Sequence, residues 1–246
     1  MDCPINFHSC STHKIQTDHI PFFVDDSVKL DLNLVDGYNF ILSKNHRAVI
    51  NLFVTESVTT HIKFFCADSV DLTVRLIVLF PQVADIHISV MMCGDRSNID
   101  IVGMCALTEQ QSVVITTQQI HCGKNSTSKF VLQGLINDHA RLSYDGTIRI
   151  EKDACGTYAL QNNKNILLSS TATAISIPNI EVLNHDVQCY HGAAVGKFDL
   201  KQMQYMQSRG LHAFMIQQLL VQELFAQVLQ GYEKKEFILQ TVYEKI

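Results

Sequence analysis

The sequence predicts a mainly β fold followed by a small helical region at the C-terminal end. Short segments rich in β-branched residues fill most of the chain, and polar breaks separate them roughly every 13 to 15 residues. No helical pattern long enough for a βαβ crossover lies between them. Such units bury a continuous core either by coiling as a parallel β-helix or by pairing two sheets as a β-sandwich, and periodicity alone leaves both open.

The strand signals follow a polar N-terminal segment, residues 1–20, which we predict to be irregular. Its Cys3, His8, Cys10 and His13 could bind a metal, but we interpret the segment as a frayed terminus. A strand body is predicted over residues 21–198, with a turn at Asp36 and Gly37. The predicted strand segments are 28–34, 48–54, 60–65, 86–90, 99–102, 113–116, 130–132 and 147–150, and the later polar breaks are Asp85, Asn98, Ser112, Ser126, His139 and Ala154.

The helical region is predicted over residues 199–246. Asp199 occupies an N-cap position with Gln202 three residues later, as in a capping box, and Gly210 is placed to end the first helix. A second helix is predicted over residues 211–230. Its apolar set is broader than one face needs, so one side could pack on the strand body and another on a partner, or the helix could be buried within its own chain. Residues 232–246 are interpreted as a short solvated helix or an arm.

Composition excludes several classes of protein. The 246 residues are 47% hydrophobic and 17% charged, with a net charge of −5 and no tryptophan, so nothing suggests disorder or a nucleic-acid-binding surface. The longest apolar run, residues 76–80, is far too short to span a membrane. The first residues lack the basic flank and apolar core of a signal peptide. A cytoplasmic protein is therefore the expectation.

The eight cysteines are scattered, and none forms a Cys-x-x-Cys pair. A self-contained zinc site or four-cysteine cluster usually draws on closely spaced pairs, so any metal would need ligands from distant parts of the chain or from another subunit. Cys122 is interpreted as an ordinary strand cysteine.

Catalytic motifs are absent from the sequence. Gly123 and Lys124 suggest a phosphate-binding loop, but Gln118 and Asn125 stand where that loop needs a glycine and a Ser or Thr. The scattered aspartates fit turns better than the clustered carboxylates of a polysaccharide-degrading enzyme. We therefore expect a protein that is not an enzyme.

Residues 185–196 carry the most distinctive chemistry. In an extended backbone Cys189 and His191 share one face, with Gln188 and Tyr190 on the other. Thiolate and neutral imidazole suit iron and iron–sulfur species, and the small residues that follow allow a close approach. The structural alternative is a small core cysteine beside a hydrogen-bonded strand histidine.

Several segments, in order, resemble the C-terminal signature of the SufB/SufD family. They are residues 165–170 (NILLSS), 178–182 (PNIEV), 186–196 (DVQCYHGAAVG) and 202–210 (QMQYMQSRG). The last of these segments resembles that family's Gln-x-x-Tyr-x-x-Ser-Arg-Gly helix. Residues 120–125 (IHCGKN) are more similar to the SufB branch, whereas the Cys-x-His-Gly-Ala form resembles SufD, which we favour. The resemblance implies a right-handed parallel β-helix.

The resemblance also implies a function, as a non-catalytic scaffold subunit of the SUF iron–sulfur cluster assembly complex. Such a subunit pairs through its last β-strands with a SufB-like subunit, or here with a second copy of itself, and docks a SufC-like ATPase through its C-terminal helices, residues 199–246. A transient iron–sulfur cluster at the subunit interface is implied, without a permanently bound cofactor. His191 corresponds to the family's histidine there and Cys189 to the neighbouring cysteine. The family's N-terminal helical region has no recognisable counterpart, so the chain looks shortened. The alternative function is a β-helical protein-interaction module, a homodimer that binds no metal.

Overall fold

The computed structural model describes residues 22–24, 28–34 and 38–246. The predicted irregular segment 1–20, with its four possible metal ligands, and the turn at Asp36 and Gly37 lie outside the described residues. The described strands are β1 (Phe22–Val24), β2 (Val28–Asn33), β3 (Tyr38–Leu42), β4 (Arg47–Val54), β5 (Val58–Cys66), β6 (Asp71–Leu79), β7 (Val83–Met92), β8 (Asn98–Leu107), β9 (Ser112–His121), β10 (Thr127–Ile136), β11 (Arg141–Ile150), β12 (Thr157–Leu167), β13 (Thr173–Val182) and β14 (Val187–Gly196).

Consecutive strands alternate between two sheets. The odd-numbered strands form one seven-stranded sheet in chain order, and the even-numbered strands form the other. Neighbouring strands are parallel, as between β8 and β10 or β9 and β11. A β-sandwich would pair its strands antiparallel. The chain is therefore a parallel β-helix, which confirms the predicted fold class, and each odd strand with the even strand after it makes one rung.

Left-handed residues turn the chain at equivalent corners of successive rungs. Ser69, Arg96 and Asn125 have φ angles of 56°, 55° and 52°. Their amides join one rung to the next, since that of Ser69 donates to the carbonyl of Asp95 and that of Arg96 to the carbonyl of Lys124, both at 2.8 Å. These bonds satisfy backbone groups that a sharp corner would otherwise leave unpaired.

Most of the predicted polar breaks coincide with corners or strand starts. Asn98 and Ser112 are the first residues of β8 and β9. The break predicted at Asp85 is wrong, because this residue lies within β7 with its side chain on the outward face. A polar residue at an outward strand position resembles a turn residue in sequence but interrupts nothing.

Inward side chains stack from rung to rung along the axis of the β-helix. The rings of Phe40 and Phe64 lie 5.0 Å apart and nearly parallel, and those of Phe130 and Tyr144 lie 5.5 Å apart. The main apolar cluster extends from Val24 to Ala172. Because in-register rungs place like residues above one another, a hydrophobic column forms without any helix inside it.

The helical region comprises α1 (Leu200–Ser208), α2 (Ala213–Phe225) and α3 (Lys235–Tyr243). The carboxylate of Asp199 accepts a hydrogen bond from the amide of Lys201 at 2.8 Å, which makes Asp199 the predicted N-cap. Gly210, with φ of 89°, follows the end of α1 as predicted.

Two details of the predicted helices are wrong. The second helix ends at Phe225 rather than at residue 230, because the chain then winds through tight turns in which the amide of Ala226 bonds to the carbonyl of Glu223. The tail forms α3, which is not merely solvated, since Ile238, Leu239 and Val242 are buried.

The helices pack on the outer face of the even-numbered sheet. Arg75 of β6 donates hydrogen bonds to the carbonyls of Val228 (3.1 Å) and Gln230 (2.9 Å), which satisfies backbone groups released after α2 ends. The apolar contact joins Ile77, Leu79, Val102, Met104, Ala106, Val131, Leu135 and Ile166 of the sheet to Val221, Leu224, Phe225, Val228, Leu229, Tyr232, Ile238, Leu239 and Val242.

None of the helices in the described part of the chain has both the length and the apolar character that a membrane span requires.

Candidate functional site

The C-terminal end of the β-helix is an open rung made of β13 and β14, called here the terminal rung. Among the described strands, β13 pairs only with β11 and β14 only with β12. Each therefore has one edge whose backbone groups can pair with another chain. Exposed apolar side chains lie along and beside these strands: Ile175, Ile177, Val182, Leu183, Tyr190 and Val195. Such a patch is typical of an interaction surface.

Strand register determines which side chains of β14 face the interior. Cys189 is paired with Ala159 and His191 with Gln161, and both partners on β12 are buried inside the β-helix. Cys189 and His191 therefore share the inward face of the terminal rung, about 6.6 Å apart at Cα for residues two apart on a strand. Tyr190 points outward, with its ring 6.0 Å from that of Tyr158.

The two predicted ligands differ in their surroundings. Cys189 is half-buried against the small apolar cluster formed with Ile148, Ile150 and Ala159, and this burial raises the pKa of its thiol. His191 is exposed, since none of the described strands lies over β14, and it has no hydrogen bond or ion pair among the described residues. The imidazole is thus free to bind a ligand, whereas the thiol must first lose a proton.

The described residues contain no group of three or more His, Cys, Asp or Glu side chains that could hold a metal ion. Cys189 and His191 supply two ligands at most. Iron–sulfur species need more, so these two residues can form only part of a site. Their role as ligands stays a prediction.

The interior behind His191 is polar, which the sequence analysis missed. The amide nitrogen of Gln161 donates to the carbonyl of Gly146 at 3.1 Å, while its side-chain oxygen has no partner within the described part of the chain. Farther from His191, both side-chain polar atoms of buried Gln119 on β9 and the hydroxyl of Ser176 on β13 also lack a partner among the described residues. Buried polar atoms usually bond to protein or water, so this interior is suited to hold water or a small polar ligand.

The signal for that interior was present in β12. Its inward positions are Ala159, Gln161, Asn163 and Asn165, where an apolar series would be expected. Asn163 and Asn165 bond to each other, with the amide of Asn165 donating at 2.6 Å. Recognising this polar series requires knowing which of the two alternating sets of strand positions faces inward, because the outward positions of a strand are polar as well.

A second buried polar group, His121, lies at the end of β9. Its Nδ1 is 2.7 Å from the hydroxyl of Ser126, and its Nε2 is 2.8 Å from that of Ser128. Burial lowers the pKa of this imidazole to about 4. His121 is therefore neutral at physiological pH and acts as a structural link between the end of β9 and the corner and strand, β10, that follow it on the same rung.

Comparison with known proteins identifies the family. Residues 54–224, more than half of the chain, match the family model described as "SUF system FeS cluster assembly, SufBD core domain". The chain belongs to the SufBD family. The matched range covers the rungs from the end of β4 to β14 and continues into α2, so it includes the whole candidate site.

Individual SufBD relatives are similar to this chain at modest identity. The iron–sulfur cluster assembly protein SufD of Escherichia coli K12 is 25% identical over 143 residues, 58% of this chain and 34% of the relative. A SufBD family protein of Mycobacterium tuberculosis H37Rv is 25% identical over 223 residues, 86% of this chain and 52% of the relative. The protein ycf24 of Galdieria sulphuraria is 23% identical over 149 residues, 61% and 64% respectively. The chain thus spans only part of each relative's length, from about one third of SufD to about two thirds of ycf24.

Proposed function

We propose that this chain is a non-catalytic, SufD-like scaffold subunit of the SUF iron–sulfur cluster assembly complex. It pairs with a SufB-like subunit through β13 and β14, and a transient cluster is built at that junction as cargo, with His191 and Cys189 as the ligands from this chain. The observation that carries the proposal is that both side chains lie on the inward face of the terminal rung, beside two strand edges that pair with no other described strand.

The incompleteness of the site supports a transfer role. A four-ligand cage holds its cluster tightly, whereas a site divided between two chains can release it when they move apart. The partly buried Cys189 and the exposed His191 also differ in access. His191 is therefore the first ligand that a cluster precursor meets, and Cys189 contributes after it loses its proton.

The C-terminal helices offer the surface proposed to dock a SufC-like ATPase. One face of α2 packs on the β-helix, while Phe214, Met215 and Leu219 on the same helix are exposed, Phe214 to 62%. Because α2 has apolar residues on both its buried and its exposed faces, its apolar set is broader than packing on the β-helix alone requires. An exposed aromatic beside flexible Met and Leu is typical of a protein contact.

Co-expression with the SufB-like and SufC-like proteins of the same genome tests this assembly. Under anaerobic conditions, affinity purification followed by size exclusion should recover a complex of all three. Ile177→Asp places a charge on the terminal rung and should remove the SufB-like protein. Val114→Asp, also at an exposed outward strand position but on β9, should leave the complex intact. Recovery of the chain without either partner, or equal effects of both variants, would contradict the proposal.

Replacing His191 with alanine tests the site itself. Because His191 is exposed and makes no described bond, His191→Ala should leave folding and complex formation unchanged but lower the amount of cluster that forms from ferrous iron and sulfide, read from visible absorbance. His185→Ala, at an exposed position just before β14, is the matched control and should assemble normally. Unchanged assembly in the His191 variant would remove this residue from the site.

A metal-free interaction module is the second candidate function. The apolar surroundings of Cys189 and the absence of a third ligand among the described residues favour it. This candidate predicts a stable homodimer that ignores both partner proteins and a His191→Ala variant indistinguishable from wild type.

A further inference from the structure

Two cysteines lie side by side at a corner of the β-helix far along the chain from His191. Cys93 directly follows β7 and Cys122 directly follows β9, and the last residues of these strands, Met92 and His121, are paired in register. The amide of Cys122 donates to the carbonyl of Met92 at 3.0 Å. Cys122 therefore lies directly after β9, not in a strand as predicted, and it occupies the place on its rung that Cys93 occupies on the rung before.

The stacking of these turns is tight. A Cβ atom added to Gly123 would lie 2.0 Å from the carbonyl oxygen of Gly94, so the two turns are in backbone contact. Neighbouring strands are about 4.8 Å apart, which sets the spacing of Cys93 and Cys122. Cys93 is exposed and Cys122 is partly exposed. Solvent therefore reaches the side chains of both cysteines.

The environment of the pair disfavours a nucleophilic role. Desolvation raises the pKa of both thiols, and the neighbouring Cys93 raises that of Cys122 further. A reactive cysteine needs a lowered pKa. Glu151 on the following rung, whose charge also raises the pKa of Cys122, is paired with Arg149 at 2.7 Å.

The two sulfur donors on adjacent rungs, rather than their pKa values, suit a soft metal ion. The Cys93 sulfur lies 3.9 Å from the carbonyl oxygen of Met91, two residues before it. Thiolate ligands suit soft ions, among them monovalent copper. Two metal–sulfur bonds in line, each about 2.3 Å as in zinc sites, span about 4.6 Å, close to the spacing of adjacent rungs. Zinc itself needs four ligands, and the described residues offer no cluster of even three.

We propose that Cys93 and Cys122 bind one monovalent copper ion in two-coordinate fashion. Each thiol releases its proton as its metal–sulfur bond forms, with no change in oxidation state. The site lies on rungs that contain neither Cys189 nor His191, so the inference goes beyond the proposed function and does not depend on it.

Anaerobic titration of the full chain with monovalent copper, against a colorimetric copper(I) chelator, tests the proposal. Cys93→Ser and Cys122→Ser should each bind one equivalent less than wild type. Two control variants, Cys155→Ser at a later corner and Cys189→Ser in the candidate cluster site, should each bind as much copper as wild type. Far-ultraviolet circular dichroism checks that all four variants fold.

The proposal is overturned if Cys93→Ser and Cys122→Ser bind as much copper as wild type, or if the missing equivalent follows Cys155 or Cys189 instead. If the missing equivalent follows Cys189, copper binds at the candidate cluster site instead of at Cys93 and Cys122. That result would leave the proposed function unaffected.

Discussion

Replacing Gly123 with alanine should destabilise the β-helix by at least about 3 kcal/mol, at the upper end of overpacking effects. The new Cβ atom would lie 2.0 Å from the oxygen and 2.3 Å from the carbon of the Gly94 carbonyl. These are backbone atoms of the adjacent rung, so no side-chain rotation relieves the contact. The rungs must separate instead, which weakens the hydrogen bonds from Cys122 and Gly123 to Met92. Chemical unfolding monitored by circular dichroism measures the change.

Gly196→Ala is the matched control for Gly123→Ala. A Cβ at Gly196 meets nothing within 4 Å, and the residue ends β14. Its replacement should leave the unfolding free energy within about 0.5 kcal/mol of wild type, the range of ordinary surface substitutions. A Gly123→Ala chain as stable as this control would show that adjacent corners are not in close contact, and the argument for the spacing of Cys93 and Cys122 would fail with it.

Local features of the chain were predictable, whereas pairing between rungs was not. Strand alternation placed Cys189 and His191 on one face, and the Asp199 cap follows from one residue and its neighbours. The choice between β-helix and β-sandwich depends on which strands pair, and each strand here pairs with the next but one rather than its neighbour in sequence. Periodicity carries no information on that choice, so only the family resemblance pointed to the β-helix.

The same limit explains the features that were missed. The thiol pair exists because Met92 and His121 are in register, and the polar interior exists because Gln161 faces inward. The buried face of α3 depends on contacts with a sheet far away in sequence, so its charged first residues suggested solvation. Each of these properties is created by register, which a sequence pattern alone specifies weakly.

Stability should fall as the pH drops through the range between the unfolded and folded pKa values of His121. Burial lowers the folded pKa to about 4, whereas an unfolded histidine titrates near 6.5. The neutral form is thus the one that the fold stabilises, and its contribution is complete above about pH 6.5 and lost as the pH falls toward 4. Between about pH 7.5 and 4.5 this single group should account for a loss of about 2.5 kcal/mol.

Hydrogen bonding at His121 adds a geometric reason for that loss. A neutral imidazole donates through one nitrogen and accepts through the other, which fits the two serine hydroxyls at 2.7 and 2.8 Å. The protonated ring donates through both, so one serine must turn its proton away and the charge remains buried. His121→Gln is neutral throughout this range and should lose about 2.5 kcal/mol less than wild type in urea unfolding compared at the two pH values. His185→Gln, exposed before β14, should show the full wild-type loss. If the His121→Gln chain lost as much stability as wild type, acid sensitivity would lie in other groups, and His121 would not be the neutral link between β9 and β10.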